Sequence, residues 1–460
     1  MAVVSPADPT IGLVDLQRGF IDNRVFSDEA IYRLELERLF ARSWLFVAHE
    51  TMVPKPGDYI SNYMGEDAVM VVRDHGGKVH VLLNKCRHRG NKVCLFDRGN
   101  TRTFTCSYHG WSYGLDGALT GVPFLDEVYY GRLDKSSNGL AEARVATYAG
   151  LIFACWDPDA ESLDDYLGDA RWYLDRFLTV PHLGGLEVVP GRERYIMPVN
   201  WKLLAENFGS DEYHFPVTHA SVLKLLAAGT ASDQRIASAP SVQQQAQTEK
   251  DQSLGAVIGY GHGPVHAMGE LKVGTASYQQ DLQQAERLGP EAVEWVEERH
   301  RRLGELIKDC SGQPYSYHNG NTFPNFSTIG TGSALYGRGL ILWHPRGPHK
   351  SEVWQWCAVE KDAPQSVKKH AAFVLMERQS GAGLVAPDDH ENFSRIGENL
   401  KTPVAQRYAF NYSMAIEYED GYPGQSAWKA GGLPGYITPE ISEVAQRQFY
   451  RHWCELLRRP

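Results

Sequence analysis

The alternation of apolar and polar positions takes three characters along the 460-residue chain. Between about Asp28 and Trp44, Tyr32, Leu36, Leu39 and Phe40 recur at helical spacing. The spacing predicts an amphipathic helix, with Ser27 as its cap and Asp28 and Glu29 complementing its dipole. From about Leu45 to Asp159 the period shortens. Runs such as YISNYM, AVMVVRD, KVHVLLN, TFTCSYH and GLIFACW alternate with Gly, Asp and Asn turns, which predicts a small all-β unit. Within it, DHGG (74–77) and LDGAL (115–119) read as hairpin turns, since glycine supplies positive φ there.

After Pro158 the pattern is mixed. It predicts a helix over about Leu163 to Phe177, strand-like EVVPGRERYIM, and a helical region around 200–219. A charged helix follows at about Pro290 to Lys308, then strands FPNFSTI, GLILWHPR and EVWQWCAVE, and a helix near 363–380. The last helix is expected to start with Thr438 as N-cap and Pro439 at its first position. Residues 226–256, rich in Ala, Ser, Gln and Gly, read as a surface loop, a lid or a connector. The expected class is α+β. An all-β module (45–159) is set into a larger domain, made of an N-terminal helical part (1–44) and residues 160–460.

Composition narrows the function without naming it. Hydrophobic residues make up 43% and charged residues 22%, ordinary values for a soluble globular protein. The net charge of −10 comes with scattered basic residues, so no phosphate footprint suggests nucleic-acid binding. The first residues lack the basic and apolar regions of a signal peptide, and no apolar run is long enough to cross a bilayer. Seven widely spread cysteines argue against a disulfide framework. Reduced thiols, a cytoplasmic setting and metal binding are the expectation.

Two constellations then stand out. In the β module, Cys86-x-His88 is followed by Cys106-x-x-His109. Two Cys and two His in two short loops suit one zinc, as in a zinc ribbon, or a [2Fe–2S] cluster. Each loop pairs one Cys with one His, Gly90 and Gly110 follow closely, and the WSYGLDG run would shield a cluster from water, all of which favour the cluster. The second constellation is ENFGSDEYHFPVTH (206–219), where Glu206, Asp211, His214 and His219 crowd together. A distant carboxylate from PDDHEN (387–392) would complete a two-His, one-carboxylate site with open positions for O₂ and a substrate. Zinc hydrolysis uses similar ligands, but an electron-transfer cluster in the same chain points to oxygen chemistry.

The first set, CRHRG and CSYHGW, resembles the Rieske [2Fe–2S] motif. That resemblance implies Cys86 and Cys106 on one iron and His88 and His109 on the other, with a potential of about −150 to +300 mV. Cys94 is then left as an apolar core residue, as are Cys155, Cys310, Cys357 and Cys454. The second set, N-W-K-x-x-x-E-N-F-x-x-D-x-Y-H-x-x-x-x-H from Asn200 to His219, resembles the α subunits of Rieske-type aromatic ring-hydroxylating dioxygenases. The similarity extends over essentially the whole chain and includes GNTFPN (320–325) and PDDHEN.

By that resemblance His214, His219 and Asp389 hold a mononuclear Fe(II), with Asp388 the alternative ligand if the alignment slips by one. Asn207 and Phe208 lie close to the iron and the pocket, and Glu206 is not a ligand. Asp211 bridges the metal centres, accepting hydrogen bonds from His214 and from His109 of a neighbouring subunit. The implied fold is a Rieske domain plus a helix-grip catalytic domain; the implied assembly is α₃, or α₃β₃ with a small β subunit. The implied reaction adds both atoms of O₂ to an aromatic ring, of a polycyclic or an aromatic acid, giving a cis-dihydrodiol. Without a G-x-G-x-x-G fingerprint or a flavin signature, the chain needs NAD(P)H electrons from a separate flavin reductase and ferredoxin. A monooxygenase or demethylase, and a non-catalytic electron carrier or zinc protein, are the competing readings.

Overall fold

The computed structural model describes residues 10–179, 184–209, 211–229, 253–257, 263–268, 276–308, 315–330, 333–418, 435–439 and 441–459. The chain divides into two compact units, one of Met1–Glu35 with Leu167–Pro460 and one of Leu36–Tyr166. The second unit begins at residue 36, earlier than the texture change near 45, for a packing reason. Leu36 and Phe40 lie against Gly65, and the Trp44 indole donates to the Glu161 carbonyl at 2.9 Å.

The Leu36–Tyr166 unit is built on a seven-stranded antiparallel sheet. Its strands run in the order Leu45–His49, Leu151–Cys155, Glu142–Tyr148, Val79–Leu83, Asp67–Arg73, Asp58–Met64 and Arg98–Asn100. The Leu45–His49 and Leu151–Cys155 strands are buried at every position, which explains their unbroken apolar runs. The DHGG hairpin forms as expected, with Asp74 Oδ1 accepting from the Lys78 N–H at 2.8 Å. A smaller sheet (Phe104–Thr105, Ser112–Tyr113, Leu119–Gly121) carries LDGAL as its turn. Met70, Val72, Leu82, Cys94 and Trp111 share one core with Cys86 and Cys106, so both cysteine loops are anchored on apolar packing.

The other unit centres on a large antiparallel sheet. Ser351–Glu360 pairs with Leu186–Val188, Glu193–Met197 and Arg338–Pro345. The order continues through Phe326–Ile329, Tyr315–Thr322, Gly263–Met268, Ser253–Val257 and Tyr436–Pro439. The Trp201–Phe208 helix lies against the strands from Tyr315 to Pro345, and the Val444–Arg458 helix against the Ser253–Val257 and Gly263–Met268 strands. This is a sheet gripping helices, the arrangement the resemblance implied. Buried between the two helices, Glu35 accepts from the indole N–H groups of Trp201 (3.0 Å) and Trp453 (2.7 Å) and pairs with Lys202.

Several local expectations are corrected. The helix expected over 28–44 is an α-helix only over Glu29–Glu35, followed by a wider π turn at Leu36–Phe40. Its cap is Asp28, whose Oδ1 accepts from the Ala30 and Ile31 N–H groups; the Ser27 hydroxyl is engaged by the Asn23 carbonyl instead. The helix expected over 163–177 breaks at Gly168, which adopts φ +46°. Thr438 and Pro439 end an edge strand, and the last helix starts at Val444. A Thr–Pro pair suits a helix start, but proline is equally at home on a sheet edge, where its missing N–H is not needed. Of the expected 226–256 loop, 226–229 end the Ala220–Gly229 helix and 253–256 begin the Ser253–Val257 strand. The remainder lies outside the described residues, as does Cys310.

Candidate metal centres

The two cysteine loops are near copies of one another. In each, the Cys N–H is bound by the carbonyl five residues on (Asn91 or Trp111, 2.8 Å). The Cys carbonyl accepts from the glycine four residues on (Gly90 or Gly110, 2.9 Å). Both glycines sit at positive φ (76° and 75°), which closes each loop tightly enough to aim Cys and His the same way. The Cys86 and Cys106 thiols are buried, and the His88 and His109 rings lie 4.5 Å apart between centroids.

The donor chemistry fits a cluster. Burial opposes ionisation of Cys106, yet the N–H groups of Tyr108 and His109 and the Asn91 amide hold its thiol below the usual range. Burial, with His109 and Arg89 nearby, lowers His88, which favours the neutral imidazole a metal needs. His88 Nδ1 is buried without a hydrogen-bond partner, an orphan that a metal bond would satisfy. Among the described residues, three side-chain ligands close on a single point only at His214, His219 and Asp389. The Cys86, His88, Cys106 and His109 donor set, two thiolates and two neutral imidazoles, suits a [2Fe–2S] cluster with a Cys pair and a His pair.

Sequence reasoning missed the residues that hold these thiols. Tyr113 is fully buried; its hydroxyl accepts from the Arg87 N–H at 3.0 Å and lies 3.3 Å from Cys86 Sγ. Asn91 Nδ2 lies 3.7 Å from Cys106 Sγ. Trp111 stacks on His88 at 5.0 Å and 9°, the shielding that WSYGLDG suggested. Cys94, Cys155, Cys357 and Cys454 are buried core residues, as expected.

The second centre is assembled from two segments. The Trp201–Phe208 helix is capped by Asn200, whose Oδ1 accepts from the Lys202 N–H at 3.1 Å while Nδ2 donates to the Phe26 and Pro348 carbonyls. A short Phe215–Thr218 helix, with Pro216 in its first turn, separates His214 from His219. The facing carboxylate comes from an unanticipated helix, Ala386–Asn399, which carries Pro387, Asp388 and Asp389 in its first turn. Those three residues are a helix-start signal that PDDHEN displayed all along.

Asp389 Oδ1 lies 3.3 Å from both His214 Nε2 and His219 Nε2. The three ligand atoms fall within 4.8 Å of one another. Each histidine then meets another carboxylate with its second nitrogen, His214 Nδ1 with Asp211 at 3.6 Å and His219 Nδ1 with Asp388 at 3.4 Å. Asp388 thus stands behind the ligand set. Asn207 Nδ2 sits 3.5 Å from both Asp211 Oδ2 and His214 Nδ1. Burial disfavours a charged His214, but hydrogen bonds and charge from Asp211 and Asp389 overcome it and push its pKa up to about 11. Burial likewise opposes Asp389, which His214 and His219 nevertheless hold down at about 2. The cluster is an electron-rich pocket that wants a cation, and an ion would take the place of the shared proton.

Asp211 opens onto a cleft of about 400 Å³ whose walls include Asn207, Tyr213, Phe410, Tyr412 and Glu443. Glu206 lines the same cleft and is not one of the three converging groups. Its Oε1 accepts from the Tyr412 hydroxyl at 2.6 Å, and burial pushes its carboxyl up to about 8. Phe208 packs on Trp343 with centroids 5.1 Å apart.

Comparison with known proteins agrees with this geometry. Residues 163–459 match the ring hydroxylating alpha subunit (catalytic domain) family and residues 43–148 the Rieske [2Fe–2S] domain. The biphenyl 2,3-dioxygenase α subunit of Rhodococcus jostii is 39% identical over 97% of this chain and 91% of its own length. The benzene 1,2-dioxygenase α subunit of Pseudomonas putida is 38% identical over 97% and 93%. Naphthalene 1,2-dioxygenase with indole in its active site superposes with a TM-score of 0.80 at 30% identity, covering 97% of this chain and 94% of that one.

Proposed function

We infer the chemistry from one premise: this chain belongs to the ring-hydroxylating dioxygenase α subunits, Rieske non-heme iron oxygenases. It is the terminal oxygenase component that adds both atoms of O₂ to an aromatic ring to give a cis-dihydrodiol. The observation that carries this reading is the convergence of His214, His219 and Asp389 in a chain that also carries two matched Cys–His loops. When bound, the [2Fe–2S] cluster supplies electrons one at a time and the ferrous ion binds and activates O₂.

The contacts and the family resemblance support these residue roles. Cys86 and Cys106 would hold one cluster iron, and His88 and His109 the other. His214, His219 and Asp389 would hold the mononuclear iron, a donor set that leaves positions open for O₂ and a substrate. Asn207 and Asp211 orient His214 through its Nδ1. The Asp211 side chain is 36% exposed, so it retains room to accept a second hydrogen bond from outside. On this reading that donor is His109 of a second copy, and the working assembly is an α₃ ring, with or without a small β subunit. Electrons come from NAD(P)H through a separate flavin reductase and ferredoxin. A cytoplasmic location suits the free cysteines, and no helix among the described residues is long and apolar enough to cross a membrane.

For the substrate we favour a neutral aromatic hydrocarbon. The relatives named for biphenyl, benzene and naphthalene support this choice over an aromatic acid. The test is reconstitution with a ferredoxin and reductase, a panel of aromatics, and mass spectrometry of the products. Dihydrodiols from neutral rings and none from phthalates are expected. Phthalate dihydrodiols alone would move the chain to the acid branch, and singly oxygenated or demethylated products would favour a monooxygenase. Zinc in place of iron, with no visible cluster absorption, would overturn the oxygenase reading.

A further inference from the structure

A histidine ligand has two ring nitrogens, and the partner of the non-ligating one fixes the tautomer and the ring plane. His219 is only 3% exposed at its side chain, so water has little access to its second nitrogen. That nitrogen, Nδ1, faces Asp388 Oδ2 at 3.4 Å, while Nε2 faces Asp389 Oδ1 at 3.3 Å. Successive residues on an α-helix point about 100° apart, so Asp388 and Asp389 are not set to reach the same ion side by side. One aims at the convergence point, and the other passes behind the ring.

We propose that Asp388 is the positioning residue of His219: it holds Nδ1 and so presents Nε2 to the iron, as Asp211 does for His214. The proposal rests on the reading of His214, His219 and Asp389 as the iron site. A second contact supports it. Asn392, one helical turn beyond Asp388, approaches Thr218 Oγ1 with its Nδ2 at 3.4 Å. The same helix face thus grips two successive residues, Thr218 and His219. The two orienting carboxylates also differ in setting. Asp211 lines the open cleft, whereas Asp388 is not among the residues of its walls. Their side chains are similarly exposed (36% for Asp211, 33% for Asp388), so the cleft, not exposure, separates them.

The test uses full-length protein with its cluster loaded and the mononuclear iron removed by a chelator. Fe(II) is then titrated back against a chromogenic competitor in wild type, Asp388→Ala, Asp388→Asn and Asp389→Ala. Asp388→Ala is expected to weaken Fe(II) binding about 10- to 100-fold. Asp388→Asn, which keeps an acceptor oxygen, should recover most of that loss. Cluster absorption and melting temperature should match wild type in both. Wild-type affinity in Asp388→Ala would overturn the proposal. So would a loss in both Asp388 variants as complete as in Asp389→Ala, because Asp388 would then be a ligand. A loss in both that tracks a lowered melting temperature would make the role structural and overturn it too. Wild-type affinity in Asp389→Ala would instead bring down the iron reading itself, and the proposal with it.

Discussion

Asp211 and Glu206 share one cleft, and each supports a separate expectation. Asp211 touches no ligand atom that faces the convergence point; it meets His214 on the far nitrogen. Asp211→Ala should therefore keep the cluster spectrum and the iron content, while turnover falls about 10- to 100-fold. Metal analysis beside a steady-state assay checks this, and full activity would remove the bridge role. Glu206 is surrounded by Tyr412, Tyr450, Asp211 and Glu443, with Lys202 also in its field. Its folded pKa of about 8 lies above the usual carboxyl value of 4.5, so between these pH values the folded chain holds a proton that the unfolded chain releases. Stability from this group is present below about pH 4.5 and declines as pH rises towards 8. Glu206→Gln should flatten that decline in melting temperature across pH 5 to 8; an unchanged slope would contradict the assignment.

At the level of helices and strands, the iron site depends on how closely two segments approach. Gly397, near the end of the Ala386–Asn399 helix, packs on the chain just ahead of the Trp201–Phe208 helix, and an added methyl would sit on the Pro198 carbonyl oxygen. Gly397→Ala should cost about 1–3 kcal/mol and loosen iron binding, since it pushes Asp389 away from the histidines. Denaturant unfolding and iron titration would register the two effects. This approach was not legible in the sequence, because a glycine inside a helix gives no hint of what lies opposite. The strands were legible where β-branched and aromatic residues run between turns, as in EVWQWCAVE. The Cys–His spacing and the paired histidines were equally plain. What stayed hidden was long-range: Tyr113 beneath Cys86, Asp388 behind His219, and an edge strand that borrowed the Thr–Pro signature of a helix start.

Across the whole molecule, one buried carboxylate ties together distant parts of the Met1–Glu35 and Leu167–Pro460 unit. Glu35 pairs with Lys202, and both side chains are fully buried. Removing one partner of such a pair leaves an uncompensated charge, so Glu35→Ala should destabilise this unit by about 3–5 kcal/mol while the cluster absorption persists. Melting followed at cluster wavelengths and by overall circular dichroism should then separate into two transitions. The same carboxylate also meets Trp453, 418 positions along the chain. That separation imposes a schedule on biosynthesis. Residues 36–166 are one uninterrupted stretch, complete and foldable once they have left the ribosome. The other unit must wait, with Glu35 already made, until the Val444–Arg458 helix that carries Trp453 has been made. Maturation is thereby ordered in time: the two Cys–His loops can fold before Asp389 and the Val444–Arg458 helix have been made, so the cluster site precedes the mononuclear iron site.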